Sequence, residues 1–149
     1  MKRQPSLELL DSDAGTPAEI AATLGDLQMF NRWFGGVRTT QKLVQQALGK
    51  NPRKTASLLE VAGGAGFVPA TVKQRLSAQL DLKITLLDRA RSHLNGSGRS
   101  VAGDACALPF ADGSFDLVHC NLFVHHLAPD DVRRFAREAR ERRRPGNAL

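Results

Sequence analysis

A glycine-rich turn, Ala62-Gly63-Gly64-Ala65-Gly66, follows an apolar run of buried-strand type, Ser57-Leu58-Leu59-Glu60-Val61. Behind it Val68, Val72, Leu76 and Leu80 recur at helical spacing, with Pro69 acceptable in the first turn. Glycine lets backbone approach a ligand with no Cβ in the way, and the helix start presents unpaired N–H groups. Asp88 lies 22 residues beyond Gly66 and closes the next strand, Leu82-Lys83-Ile84-Thr85-Leu86-Leu87-Asp88. A carboxylate there can accept hydrogen bonds from a ribose diol. Turn and acid on one strand–helix–strand unit form the generic signature of an adenosine-containing cofactor. The plain alternative is a tight turn and a strand-end acid with no ligand.

The rest of the chain continues the alternation. Residues 1–16 read as a flexible polar arm and residues 17–51 as a helical cap of two helices. The first opens at Thr16 or Pro17 and carries Ile20, Leu24, Leu27, Phe30, Trp33 and Phe34; the second runs from Val37 to Leu48. Trp33 and Phe34 are expected in the core. Residues 55–149 then give strands ending at Val61, Asp88, Gly103 and Cys120, a short helix at Arg89–Leu94, and a last helix from Pro129 to Arg144. Such alternation predicts parallel pairing through right-handed crossovers, hence an α/β open sheet with helices on both faces.

With 149 residues the chain has room for one domain, and no apolar run approaches the roughly 18 residues of a membrane helix. Cys106 and Cys120 cannot make a disulfide framework, so a cytoplasmic, reducing setting is expected. The net charge of +6 raises nucleic acid as a partner, yet seven arginines and three acids fall after residue 130. That run reads as a solvated helix face rather than a phosphate-binding surface. His119, Cys120, His125 and His126 bring zinc to mind, but neighbours on a strand point to opposite faces, so no metal is expected.

A dinucleotide fingerprint G-x-G-x-x-G would use Gly64 and Gly66 but place its third glycine on Pro69, which disfavours a nicotinamide-dependent oxidoreductase. The segment Gly103-Asp104-Ala105-Cys106-Ala107-Leu108-Pro109-Phe110-Ala111-Asp112-Gly113-Ser114-Phe115-Asp116-Leu117-Val118 is more specific. It closely resembles the class I S-adenosylmethionine-dependent methyltransferases of the small-molecule branch (methyltransferase type 11-like). The likeness runs from about Leu58 to Gly146 and includes His125-His126-Leu127 and Arg144-Pro145-Gly146.

The resemblance implies a Rossmann-like sheet of order 3-2-1-4 and S-adenosyl-L-methionine as cofactor. It places Glu60, Gly64 and Gly66 along the methionine end, Asp88 on the ribose hydroxyls, Asp104 and Ala105 beside adenine, and Asn121 beside the methionine moiety. The family usually has glycine where this chain has Ala62, and alanine resists positive φ. The implied reaction is in-line methyl transfer to an O, N or C nucleophile on a small molecule, driven mainly by placement. His125 and His126 are the candidate base or acceptor contacts. The segment Asn121-Leu122-Phe123-Val124 lacks the acid-or-asparagine, proline, proline, aromatic pattern of enzymes acting on nucleic-acid bases, so nucleic acid is not the expected acceptor. Relatives continue from the Pro-Gly turn into three more strands. The chain therefore reads as truncated, with a non-catalytic cofactor-binding remnant as the rival to an active enzyme.

Overall fold

The computed structural model describes residues 15–49, 55–94 and 98–145. Two helices come first, α1 (Pro17–Trp33) and α2 (Gly36–Leu48). They precede β1 (Thr55–Val61), α3 (Phe67–Leu76), β2 (Asp81–Asp88), β3 (Arg99–Ala102), β4 (Leu117–Cys120) and α4 (Pro129–Arg142). Single 3-10 turns stand at Arg91–His93 and Val124–His126. The four strands are parallel, as the alternation predicts, and their order is β3-β2-β1-β4, as the resemblance implies.

Strand periodicity divides the core. Leu58 faces one layer with Val37 and Val44 of α2 and Val68, Val72 and Leu76 of α3. Leu59 and Val61 face the other, with Phe115 and Phe135. Successive strand residues point to opposite faces, so near-continuous apolar strands demand cover on both sides. α2 and α3 cover one face and α4 the other, with Phe135 driven into its core.

Local chemistry sets the element ends. Thr16 caps α1 in a capping box, its hydroxyl accepting from the Glu19 N–H at 3.3 Å while the Glu19 carboxylate accepts from the Thr16 N–H at 2.8 Å. Gly35, at φ +85°, turns the chain from α1 into α2. α3 stops at Leu76, four residues short of the periodic pattern, yet Leu80 still enters the core from the turn that follows. Here tertiary burial, rather than helix, explains the spacing.

Trp33 and Phe34 depart from expectation. They are 78% and 75% exposed, because the inward side of α1 is spent on Ile20, Leu24 and Asn31. At 100° per residue Trp33 falls on the side of the helix opposite Leu24, and Phe34 is the C-cap beyond its last turn. Of the expected arm only Gly15 and Thr16, and of the closing Pro-Gly turn only Pro145, fall within the described residues.

A buried polar knot fixes the edge of the sheet. The Asp116 carboxylate, 3% exposed, accepts at Oδ2 from the Ser57 N–H and hydroxyl, both at 2.8 Å, and from the Arg144 guanidinium at 2.9 Å. Burial pushes this carboxyl upward, but the hydrogen bonds from Ser57 and the charge of Arg144 outweigh it and hold it below its ordinary value. Arg143 forms a parallel bridge with Phe115, so the chain leaving α4 lies beside the start of β4.

A carboxyl depressed in the folded state stabilises fully above its unfolded value and loses that contribution as pH falls through the folded one. Asp116→Asn is expected to cost about 1–3 kcal/mol at neutral pH. It should also flatten the loss of stability below about pH 4. Urea denaturation at pH 7 and pH 3 measures both; an unchanged slope with pH would show that Asp116 is not the titrating group.

Candidate functional site

All nine residues singled out from the sequence line one cleft of about 980 Å³: Glu60, Gly64, Gly66, Asp88, Asp104, Ala105, Asn121, His125 and His126. The cleft opens past the carboxyl ends of β1, β2 and β4, where the strand order reverses, which is where open α/β sheets bind ligands.

The glycine turn is pinned as well as permissive. Ala62 does adopt positive φ, at +55°, followed by Gly64 at +48° and Gly66 at +72°. A left-handed alanine costs roughly 1–2 kcal/mol. Neighbouring contacts hold it there: the Gly63 N–H donates to the Leu87 carbonyl at 3.2 Å and the Gly66 N–H to the Gly63 carbonyl at 2.8 Å. A Cβ at Gly66 would stand 2.7 Å from Leu86 Cδ1, so that glycine is required by packing and by φ.

Asp88 ties the turn to the second strand. Its Oδ2 accepts from the Gly64 N–H at 3.0 Å, while Oδ1 accepts from the Ala90 N–H and from His93 Nδ1, each at 3.2 Å. The residue is only 8% exposed. His93 lines the cleft beside it and was not singled out in the sequence. Its place five residues after a strand-closing acid is the signal that could have found it.

Glu60, 2% exposed at the end of β1, accepts from His119 Nδ1 at 2.8 Å. The other nitrogen of His119 lies 3.4 Å from the buried Thr40 hydroxyl of α2, so the helical pair and the cleft floor share one chain of contacts. Cys120 points into the opposite core, where burial first and the Glu60 charge second push its thiol up to about 11. Burial and the Asp104 charge also raise Cys106. Both are poor nucleophiles at neutral pH.

The remaining residues border the mouth. Asp104 is exposed, its Oδ1 accepting from the Cys106 N–H at 2.8 Å, and Ala105 is buried behind it. The Asn121 amide donates to the side chain of Asn31, a buried α1 residue also missed in the sequence. His125 and His126 stand exposed on the 3-10 turn, ring centroids 4.0 Å apart. Among the described residues no three His, Cys, Asp or Glu side chains are grouped to hold a metal ion.

The carboxylates of Glu60, Asp88 and Asp104 face one guanidinium, Arg89, in this lining. That balance suits a cationic ligand with donor groups better than a pyrophosphate.

Comparison with known proteins agrees with this chemistry. The family described as a methyltransferase domain matches residues 59–149. The ubiquinone/menaquinone biosynthesis C-methyltransferase of Paracoccus denitrificans is 34% identical over 112 residues, covering 66% of this chain and 42% of that protein. Its counterpart in Roseobacter denitrificans is 32% identical over 108 residues, with the same coverage. The chain thus spans less than half the length of these curated relatives. Among solved structures, a Methanococcus maripaludis protein superposes with a TM-score of 0.63 at 14% identity, covering 99% of this chain and 65% of its own. An S-adenosylmethionine-dependent methyltransferase from Aquifex aeolicus gives 0.58 at 16% identity, covering 88% and 69%. At those identities the likeness is one of fold.

Two glycine substitutions separate constraint from tolerance. Gly66→Ala is expected to destabilise by about 1–3 kcal/mol. Gly25→Ala, in α1 with nothing within 4 Å of the added Cβ, should stabilise by about 0.5–1 kcal/mol. Thermal unfolding of both variants tests the assignment, and a neutral Gly66→Ala would remove the argument for a tightly packed turn.

Proposed function

The chain belongs to the methyltransferase domain family as a class I S-adenosylmethionine-dependent member, and we propose that this cleft binds the cofactor and methylates a small molecule. The observation that carries the reading is the convergence of three acids and the pinned glycine turn on one cleft at the strand switch point. When bound, S-adenosylmethionine supplies a methyl group already activated on a sulfonium.

The residues present fit it. Glu60 and the N–H groups of the Gly64–Gly66 turn would hold the methionine end, with Asn121 bordering it. Asp88, oriented by three donors, keeps one of its roughly four acceptor positions for a ribose hydroxyl. Asp104 would accept from the adenine amine, with Ala105 packing on the ring. His125 or His126 would take a proton from the acceptor or orient it.

For the acceptor, α1 and residues 121–127 contribute Leu24, Leu27, Phe30, Leu122 and Phe123 to the cleft, and among the described residues no carboxylate, lysine or arginine. That favours an uncharged, largely apolar metabolite, in keeping with the C-methyltransferase relatives of quinone biosynthesis. Arg133 and Arg134, both exposed, each pair with a carboxylate of the same helix, which supports a solvated α4 face over a nucleic-acid surface. No helix among the described residues is long and apolar enough to cross a membrane, and free cysteines support a cytoplasmic setting.

Calorimetric titration with S-adenosylmethionine and with NAD tests the cofactor: binding of NAD alone would overturn the proposal. Asp88→Ala should weaken S-adenosylmethionine by about 1–3 kcal/mol. Replacing both His125 and His126 with Gln should lower methyl transfer while leaving cofactor affinity unchanged. Equal loss of both quantities would instead assign these histidines to folding of the mouth.

A further inference from the structure

The end of α1 turns apolar side chains outward. Met29 and Trp33 form one i,i+4 stripe and Phe30 and Phe34 the next, with the Phe30 and Phe34 rings stacked at 4.5 Å. Beside Trp33 lies a second cavity of about 320 Å³, bounded by Arg32, Arg38, Arg75 and Thr71. No acid lines it. Among the described residues none of these three arginines makes an ion pair or side-chain hydrogen bond, in contrast to the paired arginines of α4. Asp26, two turns back along α1, is the nearest acid on the same helix face.

Three guanidinium groups around an exposed indole carry a charge that no acid among the described residues pairs with. Adjacent rings and a thioether leave apolar surface in water. One medium meets both needs: an interface with anionic headgroups above and acyl chains below, where tryptophan settles at headgroup depth. An acidic protein would answer the arginines alone, whereas the exposed rings of Trp33 and Phe34 beside them also call for an apolar phase. We propose that the face formed by the end of α1, the start of α2 and Arg75 of α3 docks on an anionic phospholipid surface.

Phe30 belongs to both the patch and the cleft lining, and Leu27 stands beside it. Docking would therefore set the cleft mouth against the bilayer, where an apolar acceptor partitions. This last step rests on the methyl-transfer reading of the cleft; the docking itself does not.

Trp33 is the chain's single tryptophan, so its fluorescence reports the patch directly. The experiment mixes the full chain with vesicles of phosphatidylcholine alone or with about one third phosphatidylglycerol, reading emission and co-sedimentation. Docking predicts a blue shift and pelleting with the anionic vesicles, reversed by about 0.5 M salt. The triple variant Arg32→Gln, Arg38→Gln, Arg75→Gln should partition at least about tenfold less. Arg133→Gln with Arg134→Gln should match wild type. No anionic preference, or no effect of the triple variant, overturns the proposal. A blue shift that grows with protein concentration in the absence of lipid overturns it in favour of self-association. Calorimetry with S-adenosylmethionine on the wild-type chain keeps the two readings apart: vesicle binding without cofactor binding sinks the cleft and leaves the dock.

Discussion

The hydrogen bond from the Gly64 N–H to Asp88 joins the two halves of the cleft, and most of the site's geometry follows from it. The turn after β1 is left-handed at three of its residues and gains little from its own conformation. A buried carboxylate needs donors, and a buried turn needs acceptors. Each satisfies the other, so neither can move alone. Because β1 pairs with β2 along its whole length, the same bond relays the sheet's register to the ligand-facing backbone. The site is preorganised by the fold's own polar bookkeeping.

Much of this was legible in the sequence because parallel strands buried on both faces leave a dense apolar signature with sharp ends. Asp88 closes such a run, so the strand pattern located that acid to the residue; Glu60 and Asp104 came from the family resemblance. Parallel pairing came from the βαβ rhythm, and the strand order and the remaining site residues from the resemblance carried by the Gly103–Val118 segment. His93, His119 and Asn31 were missed for a shared reason: each acts through a partner distant in sequence or on another element. Nothing in their neighbours marks Thr40 and Glu60 as the two ends of one contact chain.

Trp33 and Phe34 show where periodicity misleads. Spacing of three and four says that a face exists, not that every member of it is covered. Along α1 the buried portion reaches Ile20, Leu24 and Asn31, while Trp33 and Phe34 stand in solvent. Ala62 is the converse case. Local propensity argues against its backbone angle, and the hydrogen bonds around it impose that angle anyway.

The knot at Asp116 has a consequence for birth order. Its carboxylate sits beside β1, yet the guanidinium that compensates it lies 28 residues later, beyond α4. During synthesis at about 5–20 residues per second, β4 therefore emerges from the ribosome a second or more before its counter-charge. Over that interval docking β4 onto β1 would bury an acid before the Arg144 guanidinium can reach it. The nascent chain has reason to hold β4 open until Arg144 clears the exit tunnel.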